Sequence, residues 1–417
     1  MGKKVGNTIC IISQYFPPDF TGDVVRLTRV LKVLTDKGFK VTIVTAFPHY
    51  PDGKIPSQYK KKLLVREKWN DIDVIRTYVL PLPHTGFINR LLIYTSFSLS
   101  ALLALFILKR VKVIWSFSQK FFSYFTGMMF KLVLRTPLLL DVVDVWPEGL
   151  VNAGFMNKNK KLLLKIIKIP FKIFYKISNR IITLHEAMKK LLVNSAKISP
   201  SKIFILPNII DIEKFKPVKV TKKPFKNQFI VMYTGNLGRG YDFRTLLEAA
   251  SILKNEKGIL FIIKGTGEMK QFILQFLEKN QINNVYFDEK ILDIEEYVKY
   301  INKADILVLP MKKCPYPNAF FPIKLIDYLS CGKPAIYCGD GYAADLINSL
   351  VLGIAISPKD PQSLSKAVLT LKNNEKLRRK MGKNARKVAE KMFSEKILEQ
   401  KVKNIFGEWC YNGMERC

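Results

Sequence analysis

Histidine is scarce in this 417-residue chain, with only His49, His84 and His185, and its six cysteines (Cys10, Cys314, Cys331, Cys338, Cys410, Cys417) are scattered. No pair of CxxC pairs and no zinc-ligand spacing results, which argues against a zinc module or a disulfide scaffold. The cysteines are expected as buried or free thiols of a reducing compartment. Acidic residues are also few: 34 against 68 basic ones, a formal charge of +34. Such a surface calls for an anionic counterpart, whether nucleic acid, an anionic membrane or a phosphorylated substrate. No RNP, zinc-finger or helix-turn-helix pattern is present and the lysines are dispersed, so nucleic acid is the least expected of the three. After Met1-Gly2-Lys3-Lys4 there is no apolar signal-peptide core, and the expected location is cytoplasmic. Short-period repeats and low-complexity tracts are lacking too. What remains is a folded profile, 48% hydrophobic and 24% charged, in a chain long enough for two lobes.

Thr8–Ser13 is a short apolar run ended by Pro17-Pro18, hence a strand and then a loop. Val24, Leu27, Val30, Leu31 and Leu34 follow at helical spacing within Asp23–Lys37, and Lys40–Ala46 is apolar again. Strand, glycine-containing loop, helix and strand make a βαβ unit, whose crossover implies a parallel sheet. Further strands are expected at Val74–Val79, Val111–Trp115, Leu138–Val142, Arg180–Thr183 and Lys202–Leu206. Asp211–Asn227 is lysine-rich, interrupted by Pro217 and Pro224, and reads as a linker. The pattern then restarts with strands Phe229–Thr234, Ile259–Ile263, Val285–Phe287 and Ile306–Leu309, and helices Phe243–Leu253 and Met269–Leu277. Two doubly wound α/β lobes of similar size are therefore predicted.

Two segments fit that scheme less simply. From Leu91 to Leu108 no residue is charged, a length at the lower edge for crossing a bilayer. Tyr94, Thr95, Ser96, Ser98 and Ser100 weaken that reading, so a buried helix, a partly inserted helix and a span all stay open. In Lys158–Lys176, Lys161, Lys165, Lys168, Lys172 and Lys176 recur three or four apart beside Leu162, Ile166, Ile169 and Ile173. A basic amphipathic stripe of this kind suits an anionic lipid surface; a merely solvated face is the plainer alternative.

Four stretches carry candidate chemistry. Asp19-Phe20-Thr21-Gly22-Asp23 leaves a strand and opens a helix, where free N–H groups favour an anion and glycine permits close approach. Gly235-Asn236-Leu237-Gly238-Arg239-Gly240 and Gly265-Thr266-Gly267 each follow a strand of the second lobe. Arg239 adds a fixed cation able to hold a diphosphate bidentately. Asn318–Pro334 leads through Pro322 into a short helix, Ile323–Ser330, in which Lys324 and Asp327 share a face. There Lys324 and the helix-start donors around Phe321 and Ile323 suit a phosphate, and Asp327 suits sugar hydroxyls; a surface ion pair is the alternative. Asp144 and Glu148 lie beyond a strand end in Asp141–Glu148, where ligands bind in open α/β sheets.

These pieces, with LPNIIDIEKFKP and KMGKNARKVAEKMFS, occur in one order, and the chain resembles retaining glycosyltransferases of the two-Rossmann (GT-B) type. Within that type it is most similar to family-four, polysaccharide and fucosamine-type enzymes. The resemblance implies a first domain over residues 1–212 that binds the acceptor, a second over 213–393 that binds the nucleotide sugar across a cleft, and a final helix within 394–417 packing back on the first. It implies a UDP- or GDP-linked sugar as co-substrate and no other cofactor. The lack of an acidic DxD-like box at a strand end fits a reaction without a metal, and Lys158–Lys176 with the uncharged Leu91–Leu108 stretch suggests a place at the inner face of the plasma membrane and hence a lipid-linked acceptor. Arg239, Lys324 and Asp144 are then the catalytic candidates. Gly22, Asn236, Gly238, Gly265, Gly267, Phe321, Ile323 and Asp327 become donor-binding candidates, and Asp19 and Glu148 acceptor-side ones. Two departures stand out: Ala319 occupies the slot of the first of two signature acids, eight residues before Asp327, and Asn236 stands where arginine is frequent. A sugar-nucleotide epimerase, or another GT-B enzyme without an acceptor, is the alternative.

Overall fold

The apolar runs of the chain are continuous rather than alternating, as strands covered on both faces require. In the computed structural model, which describes residues 8–117, 121–152, 159, 161–219, 225 and 227–410, they form two sheets. The first half contributes β1 (Thr8–Ile12), α1 (Gly22–Asp36), β2 (Lys40–Ala46), β3 (Leu64–Trp69), β4 (Ile72–Thr77), α2 (Phe87–Ala101) and β5 (Val113–Ser116). It continues with α3 (Phe121–Leu134), β6 (Leu138–Val142), α4 (Glu148–Asn152), α5 (Lys161–Ile177), β7 (Arg180–Thr183), α6 (Glu186–Ala196) and β8 (Ile203–Ile205). The strand order is β3-β4-β2-β1-β5-β6-β7-β8. Every pairing is parallel except β3 with β4. That antiparallel edge hairpin departs from the sequence reading, which expected one strand at Val74–Val79: the Leu-Val-Arg-Glu-Lys-Trp alternation of β3 marks a half-buried edge rather than a buried strand.

The second half contributes β9 (Phe229–Thr234), α7 (Phe243–Ile252), β10 (Ile259–Lys264), α8 (Lys270–Lys279), β11 (Val285–Asp288), α9 (Ile294–Asn302), β12 (Ile306–Pro310) and α10 (Ile323–Ser330). Next come β13 (Ala335–Cys338), α11 (Tyr342–Ser349), β14 (Gly353–Ile356), α12 (Pro361–Asn373), α13 (Glu375–Met392) and α14 (Glu395–Cys410). Its sheet, β11-β10-β9-β12-β13-β14, is parallel throughout.

Two compact units result. The first comprises residues 1–147, 160–209 and 395–417, and the second residues 148–159 and 210–394. Of residues 148–159, expected in the first domain, the described ones, Glu148–Asn152 and Asn159, group with the second unit. The Asn152 amide donates to Tyr316 O at 2.8 Å and its Oδ1 accepts the Tyr316 N–H at 3.1 Å, which ties α4 to the second unit. α14 belongs to the first unit, where Leu398, Val402, Ile405 and Phe406 join the core formed by α1 and one face of the sheet. Of the expected linker Asp211–Asn227, residues 220–224 and 226 lie outside the described set, as do Lys158 and Lys160 of the basic stripe.

Candidate functional site

In the second unit the loops after β9 and β10 interlock. Gly235 N–H donates to Lys264 O at 2.8 Å, Leu237 N–H to Thr266 O at 2.9 Å, and Met269 N–H to Leu237 O at 2.9 Å. The backbones approach so closely that a Cβ on Gly265 would stand 1.9 Å from the Gly235 carbonyl oxygen, and the φ of Gly265 is +144°. Gly235, at φ +115°, has Lys324 across it, with Cε 2.2 Å from where a Cβ would be. Glycine is therefore obligatory at both positions. Gly238, expected in the donor-binding set beside Gly265 and Gly267, has ordinary room, its nearest neighbour at 3.4 Å. Gly235, which is not in the expected donor-binding set, is required by the crossing along with Gly265.

Lys324 lies in the first turn of α10, whose N-cap, Pro322, provides no side-chain cap. Its ammonium donates to Tyr241 Oη at 2.8 Å and sits 4.4 Å from the Tyr241 ring centroid and 5.6 Å from that of Tyr233. Such a cation, with helix-start N–H groups and the glycine crossing beside it, is equipped for a diphosphate. Arg239 projects from the same loop, 81% exposed, and pairs with Glu268 at 2.5 Å. Its charge is therefore shared with a carboxylate. Asn236 is exposed, and its backbone oxygen accepts the Tyr233 hydroxyl at 2.6 Å. Asp327, one turn beyond Lys324, accepts from the Tyr297 hydroxyl at 3.4 Å. Burial, and then the Asp327 charge, push the Tyr297 phenol well above its usual range, which keeps it a donor. Phe321 is buried and packs on Tyr342 and Phe393. Ile323 opens α10 and is half-buried, and Ala319 is buried.

Beneath the loops, Lys264 is buried, donates to Asp288 at 2.7 Å and faces the Tyr300 ring at 4.6 Å. Burial works to raise the Asp288 carboxyl, but Lys264, the Lys290 N–H and the Tyr300 hydroxyl together hold it below the ordinary value. No sequence signal pointed to this pair or to the tyrosines, which converge from separate elements.

The other candidates stand elsewhere. Gly22, Asp19 and Asp144 belong to the first unit, and Glu148 to α4 of the second. Gly22 is the first residue of α1, whose start is already capped by Thr21, accepting from Val24 N–H at 3.3 Å, and carries Asp23 in its first turn. Asp19 is buried and accepts the backbone N–H groups of His49 and Tyr50, each at 3.1 Å. Burial pushes its carboxyl up to about 6, against the opposing pull of those N–H groups and of Arg76. Tyr15 stacks on His49, with centroids 5.5 Å apart. Asp144 is partly exposed just after β6, and Glu148 is buried. Asp141, which the sequence reading assigned to the strand, lies in β6 and is paired, buried, with Arg26. Among the described residues, no group of three or more His, Cys, Asp or Glu is arranged to hold a metal.

Two Rossmann-like α/β units, one with crossed glycine loops and a fixed cation at its strand ends, define the GT-B class of sugar-nucleotide enzymes. Residues 21–214 match the family model "Glycosyltransferase Family 4" and residues 215–388 match "Glycosyl transferases group 1". The chain belongs to the group 1, family-four glycosyltransferases, and it is an enzyme of that kind. It is 24% identical over 410 residues to WcaI of Escherichia coli K12, assigned to colanic acid biosynthesis as a glycosyl transferase, covering 94% of this chain and 98% of WcaI. It is 23% identical over 301 residues to the UDP-Gal:alpha-D-GlcNAc-diphosphoundecaprenol alpha-1,3-galactosyltransferase of Escherichia coli, covering 69% of this chain and 74% of that one. Among solved structures, Anabaena HepE in complex with UDP and glucose superposes with a TM-score of 0.69 at 15% identity, over 96% of this chain and 99% of HepE.

Proposed function

We propose that the enzyme moves a sugar from a UDP- or GDP-linked donor to a lipid-linked acceptor in surface-polysaccharide synthesis, with retention of anomeric configuration and without a metal. The observation that carries this reading is Lys324, folded across Gly235 at the point where the two glycine loops cross. Cleaving a sugar–diphosphate bond leaves negative charge on the departing diphosphate. A preorganised ammonium and helix-start N–H groups stabilise that charge as it forms. Lys324 is the principal cation in this scheme. Arg239 joins it by exchanging Glu268 for phosphate oxygens, and Asp327 accepts hydroxyls of the donor ribose. Gly265, Gly267, Asn236, Gly238, Phe321 and Ile323 form the donor seat through their backbone, and Gly22, in the first unit, is a further donor-binding candidate.

Asp144 is the third catalytic residue of this scheme, the acceptor side is assigned to Asp19 and Glu148, and the acceptor's proton goes to a donor phosphate oxygen. The lipid-linked acceptor is supported by the relative whose acceptor is a diphosphoundecaprenol-linked sugar. UDP as the nucleotide is supported by the same relative and by the HepE complex. A peripheral position at the inner face of the membrane follows, with Lys158–Lys176 toward the lipid. Thermal-shift measurements with UDP, GDP, ADP and their sugars test the donor, since a ligand bound only by the folded state raises its melting temperature. A rise with the UDP or GDP series is expected, turnover should survive EDTA, and NMR of the product should show a retained anomer. No rise with any nucleotide would remove the donor site.

A further inference from the structure

On one face of the first sheet α2, α3 and α5 pack side by side, with α3 between the other two. Aromatic contacts run across the layer, from Tyr94 of α2 to Phe122 of α3, and from Phe121 of α3 to Phe171 and Phe174 of α5. None of the three helices contains an aspartate or a glutamate. Their outer surfaces are nevertheless apolar: Leu91 and Leu92 on α2, Leu132 on α3, and Ile166, Ile169 and Ile173 on α5 are all exposed. On α5 each isoleucine follows a lysine by one position, so Lys165, Lys168 and Lys172 form a stripe alongside the apolar one. The opposite side of the same sheet behaves normally: α1 and α14 bury their apolar faces and carry mixed-sign ion pairs, Lys32 with Glu395 and Lys37 with Glu399.

The helix continued by Leu102–Phe106 is long and apolar enough to cross a bilayer, yet only 28% of it is buried. Its serines show why spanning is disfavoured. Ser96 accepts the Leu80 N–H at 3.0 Å, Ser98 bonds Phe122 O and Thr126 at 2.9 and 2.8 Å, and Ser100 bonds Thr77 at 3.1 Å. The helix is stitched along one side to the end of β4 and to α3, while Ile93, Phe97 and Ala101 fill the core below. Crossing a membrane would break those bonds and empty that core.

We propose that the outer face of α2, α3 and α5 is one docking surface for an anionic phospholipid bilayer. Its leucines and isoleucines enter the headgroup–acyl boundary, the α5 lysines sit at phosphate level, and α2 lies along the interface without crossing it. Charge complementarity chooses the occupant: an acid-free face with a lysine stripe attracts an anionic surface, and the exposed aliphatic rows between the lysines need an apolar phase that a nucleic acid lacks. This deepens the reading of a lipid-carried acceptor and is tested without catalysis. The full chain is sedimented with vesicles containing about a third phosphatidylglycerol and with pure phosphatidylcholine vesicles. Capture by the anionic vesicles, weakened by salt and released by alkaline carbonate, is expected. Replacing Lys165, Lys168, Lys172 and Lys176 together by Gln should lower partitioning about 100-fold, and Leu91→Ser with Leu92→Ser about tenfold.

Each variant should keep the wild-type melting temperature and its response to UDP, which separates this proposal from the donor assignment. A Phe106→Trp reporter, at a residue 85% exposed, should shift to the blue with anionic vesicles only. Equal capture by both vesicle types, or unchanged capture of the lysine variant, overturns the docking surface. Retention through the carbonate wash overturns it in favour of a span. Release by duplex DNA as effectively as by salt makes nucleic acid the partner.

Discussion

At the carboxyl ends of their first strands the two units are built on opposite plans. After β9 the chain is stripped of side chains where Gly235 and Gly265 cross, with Lys324 held over the crossing by Tyr241 and Arg239 paired with Glu268 beside it. After β1 the corresponding region is filled: Tyr15, Phe16 and His49 are buried, and the central charge, Asp19, titrates near neutrality. The contrast teaches that a strand–loop–helix start is neutral as to ligand. What it binds depends on whether the turn leaves backbone N–H groups open and supplies a fixed charge, or caps its own helix and fills its own space, as Thr21 and Asp23 do for α1.

The sharpest way to break this comparison is to put a side chain where the second unit excludes one. Gly265→Ala should abolish the UDP-induced melting shift and lower stability by about 2 kcal/mol or more in urea titration. Gly238→Ala, with ordinary room around it, should change stability by no more than about 0.5 kcal/mol. Equal effects at the two sites would mean that the crossing is not what the fold protects. Next in size, Lys324→Ala should lower turnover at least about tenfold in steady-state kinetics while the melting temperature holds. Arg239→Ala should also lower it at least about tenfold, with the fold again intact. Unchanged kinetics in both variants would remove the donor assignment.

The smallest effect is expected in the first unit. Asp19 binds its proton more tightly folded, at about 6, than unfolded, near 3.8. The native state therefore holds more protons between those values, and stability should fall as pH rises from about 4 through 6. Asp19→Asn, whose amide oxygen still accepts the His49 and Tyr50 N–H groups, should flatten that part of the profile. Urea midpoints at pH 4.5 and pH 7 provide the check, and an unaltered slope would show that another group carries it.

Much of the architecture was legible because apolar runs report burial directly. Lys40–Ala46, Leu138–Val142, Arg180–Thr183 and Phe229–Thr234 are strands with the expected bounds, and α10 spans Ile323–Ser330 as its flanking prolines and glycine indicated. β3 was missed because its charged alternation merges with the lysines before it, while β13 and β14 are only four residues each. At the site, the positions of the glycines could be read but not their ranking. Strain at Gly235 arises from Lys324 and from the β10 loop, neither of which is near it in sequence.

The kinds of element, the duplication of an α/β plan and the stock of cations were decided by the linear chain, since periodicity and charge are properties of neighbouring residues. Tertiary structure alone decided that Tyr241 holds Lys324, that Glu268 meets Arg239, and that three serines tie α2 to its neighbours. Partners such as Lys324 and Tyr241 lie tens of positions apart, and no local pattern encodes their meeting. It follows from how the strands order themselves in the sheets and from which helices then share a layer.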